Sequence, residues 1–125
     1  MAVGTRRIRV DHWLPDDPFP LAEVSDFPAT DDGAFFDDGQ LADLTSAVRR
    51  AAALALELGD PVGDPGEEIS PDPVEASYQL AAMAPLSDAD RYELLCTPGT
   101  AERLRTLAGM VADIHELLQF RLQSP

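Results

Sequence analysis

The sequence predicts an α+β fold, mainly α: one β-hairpin at the start, then a bundle of about four helices. Three observations predict it. Residues 5–14, "TRRIRVDHWL", alternate in the two-residue period of a half-buried strand. Residues beyond 38 repeat apolar side chains at three- and four-residue steps, the period of helices buried on one face. Between those segments lie helix-start signals and a proline- and glycine-rich stretch.

The first strand places Ile8, Val10, His12 and Leu14 on one side and Arg7, Arg9, Asp11 and Trp13 on the other. His12 is expected at the boundary or in the core. "PDDPFP" at 15–20 is a turn cluster, and "LAEVSDF" at 21–27 is a second short strand. A hairpin alone is marginal in water because three or more strands or a packed helix are needed to cover its apolar face. Earlier partner strands, before residue 3, are therefore expected.

Residues 28–39 form an acidic loop around Phe35 and Phe36. Its aspartate doublets lack the D-x-[DN]-x-[DN]-G order of a calcium loop, so no metal is expected there. Residues 39–58 make the first helix, with Leu41, Leu44, Val48, Ala51, Ala55 and Leu58 as its apolar stripe. Asp38 is the expected N-cap, Gly59 the left-handed stop, and Arg49 and Arg50 are expected in solvent. A flexible linker follows over 59–71, rich in proline and glycine.

Asp72-Pro73 starts the next helix, because proline lacks the N–H that would be orphaned there. Val74, Tyr78 and Ala81 are expected to share one face of it, and Pro85 ends it. Ser87 with Asp90 resembles a capping box and opens a short helix that turns Leu94 and Leu95 inward and ends at Cys96. Thr97-Pro98 repeats the cap-plus-proline signal, with Thr100 as an alternative cap. The last helix, 98–122, carries Leu104, Leu107, Ala108, Val111, Ile114, Leu118 and Leu122 on one stripe.

Charge and composition narrow the chemistry. The net charge is −14, concentrated in residues 11–75, while Arg6, Arg7 and Arg9 make the first ten residues basic. Such a surface repels a phosphate backbone, which argues against nucleic acid. No stretch has the ~20 apolar residues that span a bilayer, and no signal peptide is evident, so no membrane partner and a cytoplasmic location are expected. All nine basic residues are arginine. Without lysine there is no P-loop, no Ser–Lys dyad and no Schiff base. The lone Cys96 reads as a small, partly buried apolar side chain. His115 lies 19 residues further on, roughly 28 Å along a helix, too far for a Cys–His pair. No catalytic residue, cofactor or metal is expected, and the chain does not read as an enzyme.

The order of motifs then becomes specific. Asp72-Pro73 starts a helix, Ala84-Pro85-Leu86 with Ala89-Asp90 makes a junction, and Leu94-Leu95 ends a short helix. Glu102-Arg103-Leu104 opens a long amphipathic helix that ends in Leu117-Leu118, and upstream stand "VGTRRIRVDHWL" and "PLAEV". This order resembles the N-terminal, substrate-binding domain of Lon proteases, a PUA-like β-barrel followed by helices.

The resemblance implies that residues 1–27 are the terminal strands of a truncated barrel and residues 28–125 the helical subdomain. It implies a non-catalytic module that binds polypeptide substrates or partner proteins, from a stand-alone bacterial Lon-domain protein or a chain cut before the ATPase. A fragment with bare strands should also self-associate. The residues expected to touch a partner are Trp13, Phe19, Phe35, Phe36 and Tyr78. The rival reading is a small-molecule-binding PUA-like domain.

Overall fold

The computed structural model describes residues 2–30 and 36–124. Two antiparallel strands, β1 (Ile8–Leu14) and β2 (Leu21–Asp26), precede four helices. These are α1 (Asp38–Glu57), α2 (Pro73–Met83), α3 (Asp88–Cys96) and α4 (Thr100–Gln123). The fold is α+β, mainly α, as the sequence predicts. No helix among the described residues is long and apolar enough to cross a membrane.

The hairpin departs from simple alternation. Its register slips between Val10 and His12, so Val10 faces Val24 while His12 faces Glu23. A bulge at Asp11 moves the following residues to opposite faces. Trp13, opposite Ala22, thereby joins Ile8, Val10 and Val24 on one apolar face, and His12 goes to the other. His12 is neither core nor boundary; it is exposed and pairs with Glu23 at 2.8 Å. Every residue of β1 is exposed, where a half-buried strand was expected, because no helix among the described residues packs on the hairpin.

The core belongs to the helices. Leu44, Val48, Ala51, Ala52 and Ala55 of α1 meet Leu80 and Met83 of α2, Leu94 of α3, and Leu104, Leu107, Val111 and Leu118 of α4. Helix α1 begins one residue early because Asp37, not Asp38, is the cap. Its carboxylate accepts from the Gln40 N–H, and the Gln40 side chain accepts from the Asp37 N–H, a reciprocal box. The helix ends in a Schellman motif. The Asp60 N–H donates to the Ala55 carbonyl and the Gly59 N–H to the Leu56 carbonyl, with Gly59 at φ +86°. A side chain at Gly59 would be strained in that left-handed conformation.

Helix α2 buries Ala76, Ser77, Leu80 and Met83, while Val74 is exposed and Tyr78 and Ala81 are half-buried. Four more expectations are corrected. Leu94 is buried, but Leu95, turned about 100° round the helix from it, is exposed. Cys96 is exposed, next to it in the last turn. Helix α4 starts at Thr100 with Gly99 as a cap that makes no side-chain bond. Thr97 instead ends α3, its hydroxyl donating back to the Glu93 carbonyl, and Pro98 keeps it extended. Arg49, expected in solvent, is half-buried and donates to the Glu67 carbonyl.

Residues between α1 and α2 run irregularly across the bundle and are held at several points. Arg121 grips Asp60 through both nitrogens, at 2.8 and 3.3 Å. Gln79 accepts from the Ser70 N–H, and Val62 and Ile69 pack against the core.

Candidate polypeptide-binding surface

Two short helices in succession, α2 and α3, leave many C-terminal carbonyls with no partner of their own. Neither α2 nor α3 carries a basic residue in its last turn. Three arginines from elsewhere supply the donors. Arg91 donates to the carbonyls of Ala81 and Ala84 at the end of α2. Arg103, with 0% of its surface exposed, donates to the carbonyls of Leu94 and Thr97 and to the Ser77 hydroxyl, at 3.2, 3.0 and 3.0 Å. Its guanidinium also lies 4.5 Å from the centre of the Tyr78 ring. The partial negative charge at a helix C-terminus is what makes a buried guanidinium tolerable there.

Arg7 completes the set from outside. It reaches from the hairpin to the carbonyls of Leu95, Thr97 and Pro98, at 2.9, 2.7 and 3.2 Å. With the bond from the Thr30 N–H to the Pro98 carbonyl, it moors the hairpin to the α3–α4 junction. Arg7 and Arg9 both lie over the Phe27 ring, 4.2 and 4.6 Å from its centre, which stiffens the base of the hairpin.

Moored in this way, the hairpin holds Ile8, Val10, Trp13 and Val24 in solvent on one face. Trp13 is 69% exposed, and Phe19, at the hairpin turn, is 68% exposed. Phe36 is half-buried against the bundle, and Tyr78 is half-buried beneath Arg103. Phe35 lies outside the described residues. The four described aromatics therefore do not form one patch. Trp13 and Phe19 share the hairpin, Phe36 precedes α1 and packs against the core, and Tyr78 belongs to the helical joint.

Sequence reasoning missed a groove of about 620 Å³ between α1 and α4. Phe36, Leu44, Ala47, Ala108 and Val111 line it, and Asp43, Arg50, Arg105 and His115 stand among its polar members. The signal was present as alanine at facing positions of two amphipathic stripes, where larger side chains would have closed the space. Cys96 and His115 are not brought together as a pair: His115 is half-buried in the groove, whereas Cys96 lies exposed beside Tyr92. Hydrogen bonding to Cys96, and then the negative charge of its thiolate, push the Tyr92 phenol above its ordinary range. The described residues hold no cluster of His, Cys, Asp and Glu suited to a metal.

Residues 1–113 match the family model of the ATP-dependent protease La (LON) substrate-binding domain. The chain belongs to this family. No curated protein matches it. The match covers the hairpin, the arginine-bound joint and most of α4, so a Lon substrate-binding domain is the frame in which both exposed surfaces are read. Membership supports a substrate-recognition role and a non-catalytic one, and the substrates of such a domain are polypeptides.

Proposed function

We propose that the chain is a non-catalytic module that captures polypeptide segments through exposed apolar side chains. The observation that carries this reading is the apolar face of the hairpin, where Trp13 stands beside Val10 and Val24 with nothing described covering it. An apolar patch held in water on a rigid mooring is the form such a binding surface takes. Phe19 extends the patch at the turn, and Phe35, Phe36 and Tyr78 are the remaining proposed contacts. The hairpin corresponds to the terminal strands of a PUA-like barrel over residues 1–27, and residues 28–125 form the helical unit. A second copy of the chain can use the same strand edges, so self-association belongs to the proposal. So do a cytoplasmic setting in a bacterial protein and the exclusion of nucleic acid and membranes as partners, for which the net charge of −14 gives support on the phosphate side.

Fluorescence anisotropy tests it. A labelled polypeptide kept unfolded by reduction and carboxymethylation is titrated with the intact chain. Saturable binding is expected, weakened by ~1–2 kcal/mol when Trp13 and Phe19 are both replaced by serine. The rival small-molecule role predicts no affinity for the polypeptide, and a flat titration would sink the proposed function.

A further inference from the structure

We infer that the outer edge of β2 receives the polypeptide as an added antiparallel strand, so the segments bound are extended, free of proline and apolar at every second residue. The inference rests on the polypeptide-binding reading and says how the bound chain is held. Strand β2 runs six residues, Leu21–Asp26, without a proline. Its own ladder fixes which backbone groups are spare. The Phe27 N–H donates to the Arg7 carbonyl, so Phe27 and, by strand alternation, Ser25, Glu23 and Leu21 turn their backbone groups toward β1. Ala22, Val24 and Asp26 turn theirs away, and no backbone bond among the described residues meets them. The chain itself has left the sheet by Thr30, whose N–H is bound to the Pro98 carbonyl.

The two edges of the hairpin differ. The bulge at Asp11 puts an extra residue into β1 and breaks the even spacing of its outward groups, which protects that edge from pairing. Charged side chains standing across an edge protect it too, but the polar side chains of β2 are tied across the hairpin instead. Ser25 donates to Asp11 at 3.0 Å, Glu23 pairs with His12 at 2.8 Å, and Asp26 pairs with Arg6 at 3.3 Å. The outward row of β2 is therefore evenly spaced and clear. Side chains set the preference. Ala22 stands opposite Trp13 and Val24 opposite Val10, so the outward residues are also those of the apolar face. An antiparallel strand bonded to Ala22 and Val24 places its alternate side chains on that same face. Ala22 is too small to screen the exposed Trp13 ring, so an apolar residue beside Ala22 gains the indole as well. Main-chain bonds supply affinity for any extended segment, and the alternate positions supply selection.

The test uses the intact chain and two isomeric peptides of repeated Thr-Val, one N-methylated on its threonines and the other on its valines. With valines on the apolar face, an antiparallel strand needs the valine N–H groups for the edge and turns the threonine N–H groups to solvent. The threonine-methylated peptide is expected to bind and to shift the NMR amide signals of Ala22, Val24 and Asp26. The valine-methylated isomer has the same side chains and should bind about tenfold more weakly. Val24→Pro removes an outward N–H and no ladder bond, and should weaken the first peptide by a similar factor. The isomer pair decides the matter should V24P disturb the hairpin. Equal affinity for both isomers, or shifts centred on β1, would overturn strand addition. So would a doubled mass by light scattering with the β2 amides already protected, which gives the edge to a second copy. If neither peptide binds but the carboxymethylated polypeptide does, strand addition alone fails. If none of the three binds, the proposed function itself fails.

Discussion

The α3–α4 joint and the hairpin are both held by an arginine on the same carbonyl, and the two arginines work under opposite conditions. Thr97 accepts from Arg103 at 3.0 Å and from Arg7 at 2.7 Å. Arg103 is sealed between α2, α3 and α4, where its hydrogen bonds are reinforced by the burial of Leu94, Leu104 and Leu80 around the same joint. Arg7 is half-buried, and the hairpin it anchors buries no apolar side chain against a helix among the described residues. One region is therefore stabilised by packing with a polar pin through it. The other is stabilised by polar moorings with the packing left undone. That contrast separates the part of the chain that sustains the fold from the part that offers a surface.

The comparison can be broken at its strong side first. Arg103→Ala removes the donors for two carbonyls and the Ser77 hydroxyl and opens a void over the Tyr78 ring. A loss of about 3–5 kcal/mol in urea unfolding is expected, the scale for deleting one partner of a buried charged network. A loss under about 1 kcal/mol would mean the joint is held by apolar contact alone. Arg7→Ala sharpens the weak side. Global stability should fall by only about 1 kcal/mol, since water replaces part of what is lost at a half-exposed site. Amide exchange at Phe27 and Thr30, the residues that tie the hairpin to its base and to Pro98, should accelerate while α4 stays protected. Equal acceleration in both regions would show that the hairpin and bundle are one cooperative unit.

Much of this division was legible in the residues. Asp72-Pro73, Ser87 and Gly59 announce helix ends by backbone chemistry that depends on near neighbours, and all three act where the sequence places them. The Asp37 cap was readable too, from its spacing to Gln40, but the adjacent aspartate drew the assignment one residue along. The faces of the hairpin were not readable, because alternation assumes an unbroken register and the bulge at Asp11 is invisible to it. Nor were the arginine pins. Arg7 and Thr97 are 90 residues apart, and nothing local distinguishes a guanidinium bound for a carbonyl from one bound for water. For the candidate site, Trp13 and Phe19 are legible as large apolar side chains and the structure leaves them exposed, whereas the groove depends on which two stripes the topology brings together.

The smallest expected effect concerns the contact between the ends of α1 and α4. The Arg121 guanidinium, by its hydrogen bond first and its charge second, holds the Asp60 carboxyl below the usual carboxylate range. A carboxyl depressed on folding adds stability above its unfolded pKa and loses it as pH falls through the folded value. Asp60→Asn should therefore lower the Tm slightly at neutral pH, with the difference from the parent shrinking below about pH 4. A gap between the two proteins that stays constant with pH would assign the contact to shape instead of charge.

The most direct test is amide hydrogen exchange of the intact chain, alone and with the carboxymethylated unfolded polypeptide. Alone, the amides of β1 and β2 should exchange far faster than those of α4. With the polypeptide bound, the hairpin should slow markedly while α4 stays as protected as before. A hairpin already as protected as α4 on its own, or exchange that the polypeptide leaves unchanged throughout, would contradict the claim that this face exists to receive a polypeptide.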